Sequence, residues 1–292
     1  WLTFKEIKES ITVKGEENRE IILKYSIHGP VTFVDKKRSR AYGVRCGWLE
    51  IGGSPYLASL RMNQSQSWEE FREACNYSHI PGENMVWADK EGTIGWQAVG
   101  IAPIRNTHSG LVPVLGDGNY EWDGYLPITD KPHVVNPSEN FFASANQNVT
   151  PASYKHWNAI GFSWSDPYRG DRVSDVLSKN STHKFTMQEM MDLQVDYHSL
   201  PSEKLIKMID QTSLDKANQK YFEMLLAWNN KLTTTSVEAT IYVNWERTIV
   251  REFHEKYVPE NVKGLLNIQL FKIIINLNKL PGKQRDNFLK NT

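Results

Sequence analysis

Two cysteines, Cys46 and Cys75, are all that this 292-residue chain contains, too few for a disulfide framework. Their spacing does not say whether they pair. Cys75 sits in Phe71-Arg72-Glu73-Ala74-Cys75, which reads as a helix face, so a buried thiol is expected there, and the redox compartment stays open. Charge of either sign is not in surplus: 34 Lys and Arg offset 34 Asp and Glu. Neither a nucleic-acid backbone nor an anionic membrane is therefore implied as partner, since both need a basic excess on one face. Lys36-Lys37-Arg38 with Arg40 is short and reads as a solvated turn. No apolar run approaches the ~20 residues that span a bilayer, and no signal-peptide pattern is read within the sequence given. The first residue is Trp1 with mid-domain-like sequence after it, so a cleavage or expression boundary is expected rather than a natural N-terminus.

Several chemistries lack their motifs. The eight histidines (His28, His79, His108, His133, His156, His183, His198 and His254) form no HExxH and no i, i+4 pair, and read as surface or structural imidazoles. GxSxG and SxxK are absent, which leaves a conventional serine hydrolase without support. Leu115-Gly116-Asp117-Gly118-Asn119 lacks the Gly-Lys-Ser/Thr ending of a phosphate cradle and reads as a turn.

Apolar residues at 40% and charged residues at 23% fit an ordinary globular chain. Its length suits one large or two small domains, with a core that needs no metal or disulfide to close. The first half is strand-rich. Residues 20–27 alternate as a strand ended by the breaker His28-Gly29-Pro30, and another strand is expected in 41–49. Ser67 with Glu70 predicts a capping box opening a helix, and 84–89 with 93–98 predicts a hairpin around Lys90-Glu91-Gly92. A loop-rich stretch, 103–137, follows. After Asp166 the pattern turns helical: 171–177, then Thr186 with Glu189 as a second capping box, then 204–209, 219–228 and 245–257. Strands first and helices second predict an α+β chain, with a β-rich region 1–165 and a mainly helical region 166–292.

Two local features bear on function. Trp and Tyr are plentiful (10 and 12), and Asn119-Tyr120-Glu121-Trp122-Asp123-Gly124-Tyr125 offers either a ligand- or sugar-stacking platform or aromatic pins for a long loop. Ala145-Asn146-Gln147-Asn148 offers side-chain amide N–H donors of the kind that stabilise an oxyanion. Asparagine turns also bond their own backbone, and Asn148-Val149-Thr150 is a sequon weakened by Pro151. On pattern alone a turn asparagine is the better reading.

Taken in order, a series of segments resembles the penicillin acylase (penicillin amidase) family of N-terminal-nucleophile hydrolases. They are His28-Gly29-Pro30-Val31, Ser67-Trp68-Glu69-Glu70-Phe71, Asn84-Met85-Val86-Trp87-Ala88-Asp89 with Gly92, Ile94 and Gly95, and Pro103-Ile104-Arg105. Gly118 to Gly124, Val134-Val135-Asn136-Pro137, Ala145 to Asn148, Tyr168-Arg169-Gly170-Asp171-Arg172-Val173, and Gln194-Val195-Asp196 with Ser199 continue the series. Each is weak alone; their order makes the likeness specific.

The resemblance implies an αββα sandwich, of which this chain would be an interior part of the large (β) subunit, with a helical appendage. It implies a self-cleaving precursor, or zymogen, and a linear, non-peptide amide substrate. A freed N-terminal Ser attacks the amide carbonyl while its own α-amine, which titrates near ~7.7–8.0, accepts the hydroxyl proton. That Ser and the usual backbone oxyanion donor precede the segments matched here. Trp1 carries no nucleophile, so the chain alone is expected to be inactive. Asn148 corresponds to the family's oxyanion asparagine, with Asn146 the neighbour it could be confused with, and Arg172 to an arginine beside the active site. Ser59 and Glu83 stand where penicillin G acylases carry an aromatic and an aliphatic acyl-pocket residue, which makes a phenylacetyl pocket doubtful. The Trp-Asp pair common in the helical region reads Trp228-Asn229 here.

No cofactor is required for the chemistry. The family's structural calcium is left open, because its acidic ligand near Gly161 has no counterpart here. Expected partners are a small-molecule acyl amide, a small (α) subunit and the remaining N-terminal part of the large subunit. The resemblance suggests a periplasmic or extracellular setting. The alternative is a non-catalytic ligand- or carbohydrate-binding module using the aromatic loops.

Overall fold

The computed structural model describes residues 3–179, 183–210 and 214–292; Trp1, the expected boundary residue, lies outside them. The chain divides into two compact units, Trp1–Phe142 with Thr150–Ser163, and Ala143–Val149 with Trp164–Thr292. This differs from a simple divide after residue 165, since Ala143–Val149 packs with the helical unit.

The first unit opens with a four-stranded antiparallel meander, β1 (Lys5–Ile11), β2 (Arg19–Ser26), β3 (Gly29–Asp35) and β4 (Arg40–Gly43). β1 and β2 pair along their whole length, from Lys5↔Tyr25 to Ile11↔Arg19. β2 ends at Ser26, where His28-Gly29-Pro30 was expected to close the strand, but the sheet continues beyond it. Ser26 pairs with Gly29, so Ile27 and His28 form a tight turn and Gly29-Pro30 begin β3. Pro suits a strand's start because it has no N–H to place, while its carbonyl accepts from Val44 N at 2.9 Å. Gly29 is needed: at φ +129° its absent Cβ would fall 2.2 Å from Val44 O. The strand expected over 41–49 stops at Gly43, and Gly47–Leu49 is a 3-10 turn.

Two short helices follow, α1 (Ala58–Met62) and α2 (Trp68–Cys75). Ser67 caps α2 by accepting from Glu70 N at 3.3 Å. Glu70 closes back on Gln66 N at 2.7 Å, one residue before the cap, rather than on Ser67 itself. The apolar face of α2 packs Trp68, Phe71, Ala74 and Cys75 with Met62 of α1, beside the hairpin β5 (Asn84–Ala88) and β6 (Ile94–Ala98). Cys46 and Cys75 are both free thiols, and Cys75 is fully buried. After the short strand β7 (Ala102–Pro103), which pairs with β8 (Tyr125–Leu126), β9 (His133–Val135) joins β6. Gln97 is fully buried but satisfied, accepting from Arg72 Nε at 2.9 Å and donating to Ile128 O at 2.9 Å.

The second unit is helical: α3 (Tyr168–Ser178), α4 (Met187–Gln194), α5 (Leu200–Ile206), α6 (Lys216–Ala227), α7 (Val237–Tyr257), α8 (Leu270–Lys279) and α9 (Gly282–Lys290). Thr186 and Glu189 form the full reciprocal capping box at α4. Leu205, Tyr242, Ile249, Ile273 and Leu277 form the fully buried centre of its core. α8 buries Ile273, Ile274 and Leu277, the apolar face of an amphipathic helix. Among the described residues no helix is long and apolar enough to cross a membrane.

Candidate active site

Within the second unit, three of the segments singled out in the sequence converge. The turn 143–149 lies against the first turn of α3, and the residues after α4 meet the next turn of the same helix. Arg169 and Arg172, three apart, share a helix face. Arg169 Nη2 donates to Ala145 O at 2.8 Å and to Asn146 Oδ1 at 2.7 Å. Asn146 adopts φ +69°, a left-handed conformation that asparagine tolerates better than most residues, and its carbonyl accepts from Ser165 N at 3.0 Å. Gln147 folds back, its Oε1 accepting from Ala145 N at 2.6 Å. The Gln147 amide occupies the space a side chain at Gly170 would need, since a Cβ there would sit 2.2 Å from Nε2. Asn148 follows directly and is exposed to solvent.

Arg172 is half-buried and binds Asp196, with Nε and Nη2 at 2.7 and 2.6 Å from Oδ2. The other oxygen of Asp196 accepts from His198 N at 3.0 Å. Burial opposes the charge on Asp196, but the Arg172 hydrogen bond and the His198 N–H outweigh it and hold the carboxyl below its ordinary range. Behind this pair His198 Nε2 stands 2.5 Å from Glu203 Oε1. The arrangement fixes a cationic guanidinium and a constrained asparagine turn on successive turns of one helix.

Asn148 and Arg172 stood out in the sequence; Arg169, Gln147 and Gly170 carried no assigned role there. The Tyr168-Arg169-Gly170 string held the signal, yet its partners lie more than 20 residues away. Asp196 stood in a segment noted for resemblance, without a role. Ser59, on α1, and Glu83, just before β5, are both half-buried in the first unit; the Glu83 carbonyl accepts from Val99 N at 2.9 Å.

The aromatic loop also belongs to the first unit. Arg45 lies over the Trp122 ring at 4.4 Å and reaches Glu121 at 2.7 Å, while His28 Nε2 meets the other Glu121 oxygen at 2.7 Å. The His28 hydrogen bond, with Arg45, keeps the Glu121 carboxyl below its ordinary range. His28, Arg45 and Glu121 line a cleft of about 430 Å³ with Ile27, Val44, Cys46 and Leu49. Arg45 therefore covers a Trp122 face that a stacked sugar would use. Among the described residues no three His, Cys, Asp or Glu side chains converge to hold a metal ion, and the space beside Gly161 is open.

A family model described as penicillin amidase matches residues 1–291. The chain belongs to the penicillin amidase family. The chain is similar to the acyl-homoserine lactone acylase QuiP of Pseudomonas fluorescens, 27% identical over 274 residues, covering 87% of this chain and 33% of that protein. The penicillin G acylase of Escherichia coli is also 27% identical, over 177 residues, covering 60% of this chain and 20% of that protein. A solved thermostable penicillin G acylase from Alcaligenes faecalis superposes with a TM-score of 0.75 at 24% identity, covering 91% of this chain and 49% of that one. This penicillin amidase chain thus has the acylase fold, and its helices and sheets fit the α+β class expected from sequence. It spans about one third of the length of the QuiP relative.

Proposed function

We propose that the chain is part of the catalytic subunit of an amide-cleaving acylase, in which Asn148 Nδ2 donates to the oxyanion. The attacking group is the N-terminal Ser of a processed precursor and lies on polypeptide outside this chain. The Ser hydroxyl adds to the amide carbon and passes its proton to the Ser α-amine; the carbonyl oxygen becomes O⁻ beside Asn148. Collapse expels the amine, which takes the proton back, and water then cleaves the acyl-ester by the same steps. Without that Ser the chain is inactive. The small subunit and the rest of the large subunit complete the site. Calcium enters no step.

The observation that carries this reading is the exposed Asn148 at the end of a turn held by Arg169 and Gln147. A turn asparagine serving only its own backbone needs no such clamp from a distant helix. The first unit also exposes Trp48, Leu49, Ile51, Tyr56, Leu57 and Leu60 within a short stretch, as a surface covered by further polypeptide would. Relatives named for acyl-homoserine lactones and for penicillin G share one substrate class, an acyl group on a small amine-bearing ring, and we assign that class here.

The test is to express the complete precursor, follow self-cleavage ahead of a Ser by intact mass, and assay amine release from an acyl-homoserine lactone and from penicillin G. Processing with hydrolysis of either supports the reading; a precursor that stays whole and inert overturns it.

A further inference from the structure

Asn148, the proposed oxyanion donor, ends a turn that its neighbours hold in place. The turn before it is closed from two directions. Arg169 Nη2 pulls on the Ala145 carbonyl and the Asn146 side chain, while Gln147 Oε1 ties down Ala145 N. Asn146 is at φ +69°, where small changes of dihedral redirect the chain. Two residues on, about 7 Å away at ~3.8 Å per residue, a rotation of about 20° is a displacement of about 2 Å. A shift of that size is more than an oxyanion donor tolerates.

We infer that Arg169 is a positioning residue of this acylase, fixing the direction of the Asn148 amide through the Ala145–Asn146 turn. The inference rests on the role proposed for Asn148. Both Arg169 bonds leave one nitrogen, so a lysine ammonium can replace them. Arg172 is different: its two bonds to Asp196 leave separate nitrogens of the guanidinium fork, which lysine cannot imitate.

The experiment uses the complete processed protein and compares wild type, Arg169→Gln, Arg169→Lys, Asn148→Ala and the double variant Asn148→Ala/Arg169→Gln. Arg169→Gln is expected to lower kcat by about 100-fold with KM little changed. Arg169→Lys is expected to recover most of that loss. In the Asn148→Ala background Arg169→Gln should cost nothing more, because there is no amide left to aim. Arg169 is exposed, so folding should survive. If Arg169→Gln does not fold, Asn146→Gly removes the side-chain acceptor while keeping the left-handed backbone, and a kcat loss confined to the Asn148 background carries the same test. Full kcat in Arg169→Gln, failure of lysine to rescue, or an additive loss in the double variant overturns the inference while the Asn148 reading stands. Full kcat in Asn148→Ala overturns both.

Discussion

Gly170→Ala separates the stability of the helical unit from the geometry of its site. An added methyl would lie 2.2 Å from Gln147 Nε2, 2.3 Å from Cδ and 2.7 Å from Oε1, all closer than van der Waals contact permits. What it meets is the end of a flexible side chain, so the Gln147 amide must leave. Its departure forfeits the 2.6 Å bond from Ala145 N, worth about 0.5–1.5 kcal/mol net. Against that, alanine inside α3 gains about 0.8–1.0 kcal/mol over glycine. The two nearly cancel, and Tm should move by no more than a few degrees. Turnover should not be spared, because the turn before Asn148 has lost one of its clamps; a fall of about tenfold or more is expected. Thermal denaturation and kcat of the complete processed protein read the two effects side by side. In a Gln147→Ala background the same substitution should be stabilising, by about 0.8–1.0 kcal/mol. Unchanged kcat, or a collapse in stability of several kcal/mol, would refute the reasoning.

Asp196→Asn should cost roughly 1–3 kcal/mol at pH 7, since it removes a charge-assisted bond to Arg172. The folded carboxyl titrates below its unfolded value, so the contribution is full above the unfolded value and fades as pH drops through the folded one; the wild type–variant gap in denaturant midpoint should narrow below about pH 4. An equal gap at pH 7 and pH 3 would contradict the pairing. Burial pushes the Cys75 thiol up to about 12, whereas Cys46 is only half-buried. Native protein treated with iodoacetamide at pH 8 should therefore be alkylated at Cys46 with Cys75 untouched; comparable rates by peptide mass would count against the packing of α2. Thr186→Ala should cost about 1 kcal/mol through loss of the α4 capping box, and no change in the unfolding midpoint would show that α4 does not need it.

What was legible in the sequence was local. Ser67 and Thr186 announce their helices because a cap is a bond between residues three apart, and Gly92 announces the β5–β6 hairpin for a similar reason. Gly29-Pro30 marked the end of β2 but not the start of β3: Val44 O passes so close that only glycine fits, and the next strand starts at once. β1, rich in charge, and α8 and α9 were not foreseen: the first is an exposed strand with little apolar alternation, and Ile273-Ile274-Ile275 reads as strand or helix until packing decides. Asn148 and Arg172 were singled out through resemblance rather than pattern. Arg169 and the Gln147–Gly170 fit were out of reach, since each is a tertiary contact spanning more than 20 residues that leaves no periodic trace.

The most direct measurement is kcat of Asn148→Ala in the complete processed protein on a substrate that the wild type hydrolyses. Loss of an oxyanion donor predicts a fall of about 100- to 1000-fold with KM nearly constant. A variant that turns over at the wild-type rate would show that the charge forming on the substrate oxygen is met by something other than Asn148.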